Sequence, residues 1–241
     1  MKLKNIYLAI ESEDFTDKNL VSDFNFQTDF ITHFIEKKIV AKKFETSNFQ
    51  TLMIRGRKSP SDKLVLKEHF NALEVEFFFD EKKYNEIYPY SNTYPLDGLL
   101  MPVKNENDFN NFLFEIILNS FEKSKALNTE IPSDCLIEIL NDFKLNNFKN
   151  EWLFKFKIFK EQSIKASLFC KLTCNYFSLE LIIEKNKKEI LKKEILKTLP
   201  NAIMYKYEFK DIVIENNILK VIKDDYDKST LYKLQLSDIN N

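Results

Sequence analysis

Few residues in this 241-residue chain could do chemistry, and most stand alone. Glu208-Phe209-Lys210, in a stretch that reads as a strand, has the form in which a metal-dependent nuclease holds a divalent ion with a carboxylate and orients water with a lysine. Chance alone produces that triplet in so lysine-rich a chain, so it does not select a hydrolase. His33 and His69 belong to no HExxH, and no serine lies in GxSxG. Cys135 could meet His69 only through the fold. Cys170 and Cys174, four apart in an alternating segment, share one strand face and lack the CxxC pairs of a structural zinc site. The three cysteines therefore read as free thiols, and neither a metal nor a cofactor is predicted. Only Gly56 and Gly98 offer the positive φ and close backbone approach that cradle phosphates, and neither sits in GxGxxG or GxxxxGK[ST].

Composition narrows the classes further. A hydrophobic share of 44% with 23 phenylalanines supports a packed core, and the abundance of Lys, Asn, Ile and Phe beside so few glycines matches an AT-rich coding bias. The formal net charge of -1 supplies no field to draw the chain onto nucleic acid or an anionic membrane. The start, basic and then acidic at Glu11-Ser12-Glu13-Asp14, leaves no signal-peptide core, and no later run is apolar enough to span a bilayer. The expectation is a cytoplasmic protein with no membrane and no nucleic-acid partner.

The elements that would position these residues follow from periodicity. Residues 3–10 read as a strand followed by an acidic turn. Phe26, Phe30, His33, Phe34 and Lys37 predict a short helix over 27–37. Residues 38–44 and 49–55 look like a hairpin about Thr46-Ser47-Asn48, and Arg55-Gly56-Arg57-Lys58-Ser59-Pro60 like a basic loop. Residues 73–79 alternate as a strand. Asp108 caps a helix with Phe109, Phe112, Leu113, Ile116, Ile117 and Phe121 on one face, and a second helix enters through Pro132 with Leu136, Ile139, Leu140 and Phe143. Strands then dominate. Trp152, Phe154, Phe156 and Ile158 should share one face, with Lys155 and Lys157 on the other. Residues 164–174, 177–183 and 203–209 alternate, and Asn216-Asn217 joins a hairpin. Leu191, Ile195 and Leu199 recur at helical spacing before Pro200, so 187–199 reads as a helix, with a strand as the alternative; its lysines 187, 188, 192, 193 and 197, interrupted by Glu189 and Glu194, form a solvated face.

The fold class predicted is α+β, with antiparallel strand-rich sheets at both ends and two to four helices packed in the middle. The preferred division is 1–103, an N-terminal strand-rich subdomain, and 104–241, a C-terminal α+β subdomain; one continuous domain is the alternative. Between the halves, residues 84–102 have no period and gather Tyr84, Tyr88, Pro89, Tyr90, Tyr94 and Pro95 in a long loop. Long irregular connections carry function, and tyrosine is enriched in interfaces. Tyr88, Tyr90 and Tyr94 are therefore candidate partner-binding anchors, and Arg55 or Arg57 a candidate charge-directed contact.

In overall type the chain resembles the immunity proteins of bacterial polymorphic toxin systems, through Asn150-Glu151-Trp152 entering a strand, the core strand at 168–172, and Phe209-Lys210-Asp211-Ile212-Val213-Ile214 before the terminal hairpin. The resemblance covers at most the second half. It implies a protein partner, a toxin domain neutralised by occlusion, and no reaction; it carries over no binding residue. The near-neutral charge departs from strongly acidic nuclease inhibitors, so the toxin's chemistry stays open. The alternatives are a metal-dependent hydrolase or nuclease of unrecognised type, and a structural subunit of a larger assembly, which would expose a large apolar patch and self-associate.

Overall fold

The computed structural model describes residues 1–88, 103–127 and 130–239. The fold is α+β, and the chain divides into two compact units, Met1–Lys149 and Asn150–Asn241. The division falls well after the expected position at 104 because the long helix there packs into the first unit.

That unit is built on a four-stranded sheet of β1 (Asn5–Ile10), β2 (Thr51–Arg57), β3 (Val65–Lys67) and β4 (Ala72–Phe78) in the order β1-β2-β4-β3. Three of these strands run parallel, β1 with β2 and β2 with β4; only β3 is antiparallel. Parallel neighbours need a crossover, and between β1 and β2 two helices supply it: α1 (Lys18–Gln27) and α2 (Asp29–Lys42). The acidic turn hides the first helix's cap, for the Asp17 side chain accepts from the backbone N–H groups of Asn19 and Leu20. The hairpin expected over 38–55 is absent. Residues 38–42 finish α2, where Ile35 and Ile39 are buried one turn apart, and Lys43 ends it in the left-handed region at φ 55. The β-branched pair Ile39-Val40 imitates a strand, but Val40 faces solvent.

Arg55, Gly56 and Arg57 are not a loop; they complete β2. Gly56 is required there, since a Cβ would come within 2.6 Å of Ile10 Cγ2 and 2.8 Å of Phe77 Cζ. Among the described residues three further α-helices belong to the unit: α3 (Glu81–Ile87), α4 (Glu106–Leu127) and α5 (Ser133–Leu145). α4 packs on β4 and α5, and α5 on α2 through the stacked Phe34 and Phe143 rings at 4.1 Å. Phe24, Phe79, Tyr84 and Phe109 make a continuous aromatic core.

The second unit contains an antiparallel sheet of β5 (Asn150–Phe159), β6 (Ile164–Leu172), β7 (Phe177–Lys185) and β8 (Lys188–Thr198), and a three-stranded antiparallel sheet of β9 (Asp211–Glu215), β10 (Ile218–Ile222) and β11 (Thr230–Gln235). Asn216 and Asn217 take φ 50 and 62 in the β9–β10 turn, the two positive angles that a two-residue hairpin demands. Asn186 and Lys187 do the same, at φ 53 and 63, between β7 and β8. The run expected to be a helix is therefore β8. Register shifts against β7 at Leu179/Glu180 and Ile183/Glu184 leave Ile195 and Ile190 as extra residues, and two bulges turn a strand's period of two into an apparent helical spacing. Residues 203–209 are not a strand. Asn201 accepts from the Ile203 N–H and starts a short helix, α6 (Ala202–Tyr205), which brings Tyr205 onto Phe177 at 3.8 Å, with Phe209 5.6 Å from the same ring.

Candidate functional site

The second unit's site is set by one irregularity in β5. Register with β6 runs continuously to Leu153↔Phe169 and resumes at Lys155↔Leu168, leaving Phe154 as an unpaired extra residue. A bulge of this kind exchanges the faces of everything beyond it. Trp152, opposite Cys170, stays on the core side, 6.2 Å from the Phe177 ring. Beyond the bulge the core side receives Lys155 and Lys157, while Phe156 and Ile158 turn to the other face. The expected arrangement, with Trp152, Phe154, Phe156 and Ile158 sharing a face, is thus corrected from Phe156 onward, since Phe154 still packs on the core side against Phe209.

The inward lysines are accommodated by a carboxylate. Lys155 and Lys157 lie 2.9 and 2.8 Å from Asp211 at the start of β9. Burial alone would raise the Asp211 carboxyl, but hydrogen bonds from both lysines and from the Ile212 N–H outweigh it and hold it down at about 2. The outward consequence is exposure. Leu153, Phe156 and Ile158 are 49%, 51% and 64% exposed on the outer face of the strand, whereas the bulged Phe154 packs edge-on against Phe209 at 4.8 Å on the core side. β5 is an edge strand, and among the described residues no loop or side-chain hydrogen bond reaches the backbone of 153–159. At its far end a shallow hollow of about 240 Å³ is floored by Ile158, Phe159 and Ile164 and rimmed by Lys160, Lys165 and Lys187. Lys165 is paired with Glu184 at 2.6 Å. Lys160 and Lys187 are exposed and make no ion pair among the described residues.

The residues singled out from sequence go elsewhere. Tyr90 and Tyr94 lie outside the described residues. Tyr88 is 2% exposed, beside Tyr84 with ring centroids at 5.6 Å and with its hydroxyl 3.3 Å from Asp23; it is a core ring and offers no anchor. Arg55 and Arg57 stand on the sheet face opposite the helices but are engaged internally. Arg55 meets Glu11 at 2.5 Å and Glu74 at 3.5 Å, and Arg57 meets Glu76 at 3.1 Å, Asp14 at 3.4 Å and Glu74 at 3.7 Å. Glu74 is 3% exposed, so these guanidiniums neutralise a buried charge. The Glu76 carboxyl, which burial would raise, is lowered by the Ser61 N–H and by Arg57.

The triplet at 208–210 does not converge on one point, since Glu208 pairs with Lys223 at 2.6 Å and Lys210 pairs with Asp224. No group of three or more His, Cys, Asp or Glu side chains arranged to hold a metal ion occurs among the described residues. His69 is exposed in a short turn, and Cys135 instead receives a hydrogen bond from Lys42 at 3.0 Å. Cys170 and Cys174 are buried and unbridged. No described helix is long and apolar enough to cross a membrane.

No protein-family model, no curated protein and no solved structure matches this chain.

Proposed function

We propose that the protein is a protein-binding module whose contact surface is the outer side of β5, and that it acts as an immunity-type inhibitor, holding a cognate toxin domain away from its target by occlusion. The observation that carries the binding reading is the stripe Leu153, Phe156 and Ile158 on an edge strand whose inward lysines are locked by Asp211. An apolar stripe on a rigid sheet buries its area at little ordering cost, which is what an occluding surface requires. The immunity reading is supported by the resemblance of type in the second half of the chain, the half that contains this strand.

The test is co-expression with the polypeptide encoded immediately upstream, followed by gel filtration of the pair. A stoichiometric complex, lost in the Phe156→Glu/Ile158→Glu variant, is expected together with survival of cells producing both. An absent complex ends the immunity reading. A complex indifferent to that variant ends the assignment of β5. Self-association through β5 with no partner would favour the structural-subunit alternative.

A further inference from the structure

We infer that β5 receives its partner by strand addition: an extended segment, apolar on one face and acidic at its N-terminal end, pairs antiparallel with residues 155–159 and places its acids against Lys160. This deepens the proposed function and rests on it. From Lys155↔Leu168 to Phe159↔Ile164 the register is unbroken, so the strand beyond the bulge is regular enough to template another. An edge strand presents alternate backbone N–H and C=O groups outward, and extended peptides bind such edges through main-chain hydrogen bonds, with alternate side chains giving specificity. Here the alternate positions are Phe156 and Ile158, which would meet apolar residues of the incoming strand on the same face. The charge of the occupant follows from the hollow at the strand's end. Lys160 directly follows β5 at the end of its free edge, while Lys187, in the β7–β8 turn, lies across β6 and adds to the field only from a distance. With Lys165 already satisfied by Glu184, the net charge the rim offers is positive. An antiparallel partner brings its N-terminal end there, and carboxylates at that end complement it.

The probes are two synthetic peptides, acetyl-EETVTVT-amide and acetyl-KKTVTVT-amide, titrated against the full chain. Binding is read by fluorescence anisotropy and backbone amide exchange by NMR. The acidic peptide should bind and slow exchange over 155–159 by at least about tenfold. The lysine peptide should bind at least about tenfold more weakly, and Lys160→Glu, at an exposed position, should abolish that preference. Equal affinity for the two peptides overturns the acidic end. Binding that Phe156→Glu abolishes but that leaves exchange over 155–159 unchanged overturns strand addition while the β5 face keeps its role as the contact surface. No binding of either peptide also overturns strand addition; the proposed function falls with it only if the complex with the upstream polypeptide survives Phe156→Glu/Ile158→Glu. Dimerisation of the free protein in the ultracentrifuge, lost in Ile158→Lys, overturns it by identifying a second copy as the occupant.

Discussion

β1 and β5 are both edge strands of four-stranded sheets, and the chain treats them in opposite ways. Along β1 the outward backbone is met by helix side chains. The Ile6 N–H donates to Glu36 at 3.0 Å, Thr28 donates to the Leu8 carbonyl at 2.9 Å, and Asn25 both accepts from the Ile10 N–H at 2.9 Å and donates to its carbonyl at 3.2 Å. β3 and β8, the opposite edges of these two sheets, are closed by different means. β3 is three residues long, and β8 carries Lys188, Lys192, Lys193 and Lys197 along with two bulges. Short strands, charge and bulges are the usual ways of denying an edge to other chains. β5 has a bulge too, but its effect is to turn phenylalanine and isoleucine outward and lysine inward. An edge left apolar beside edges so closed is where another molecule gains by burial.

Acidic substitution at the open edge breaks this contrast with the largest effect. Phe156→Glu and Ile158→Glu should each weaken the complex with the upstream polypeptide by at least about 30-fold, the loss typical of a central anchor. Calorimetry of the free variants should place their melting within about 2 °C of the parent, because surface changes away from special features cost little. A large loss of stability would make the stripe part of the fold and remove the contrast. At the sealed edge the signs reverse. Thr28→Val leaves the buried Leu8 carbonyl without its donor and should cost about 2 kcal/mol by denaturant titration, with no change in complex formation.

The sealed edge was not legible in the sequence, for a physical reason. α1 was hidden because its cap, Asp17, lies in a run that also reads as an acidic turn, and without α1 nothing marks Asn25 and Thr28 as edge caps or β1 and β2 as parallel neighbours. By contrast, α4 and α5 and the Asn216-Asn217 hairpin were readable because local periodicity and turn chemistry agree there with the tertiary packing. Alternation locates β5, but a bulge leaves no mark in composition, so alternation alone puts Phe156 and Ile158 on the wrong side. The same blindness turned β8 into an apparent helix. Tyrosine content pointed to residues 84–102 as the interface, yet Tyr84 and Tyr88 are core rings, since a tyrosine whose hydroxyl finds Gln27 or Asp23 packs as well as a phenylalanine.

Glu36 gives the sealed edge a pH dependence near neutrality, whereas Asp211 at the open edge, held down at about 2, loses its contribution only in acid. Burial pushes the Glu36 carboxyl up to about 7; the Ile6 N–H opposes the shift and the charge of Asp29 adds to it. Between its ordinary value of 4.5 and about 7 the folded chain holds more protons here than the unfolded one, so stability is full below 4.5 and falls as pH rises through 7. The loss by pH 8 should be about 2 kcal/mol, allowing for partial solvent access. Glu36→Gln keeps an acceptor for Ile6 and should flatten this part of the stability profile. Equal slopes for variant and parent between pH 5 and about 8 would remove Glu36 as its source.

The smallest effect tests whether charge closes β8. Lys192 lies 3.2 Å from Glu180 with its side chain half exposed, a setting in which an ion pair contributes under about 0.5 kcal/mol. Lys192→Val/Lys197→Val should therefore leave the denaturant midpoint almost unmoved. If those lysines guard the edge, light scattering should detect concentration-dependent association that the parent lacks, because an uncharged edge strand is free to pair with its copy. Absence of association would assign the closure of β8 to its bulges at Ile190 and Ile195. The difference between β5 and β8 would then lie in where each strand is bulged rather than in which charges it carries.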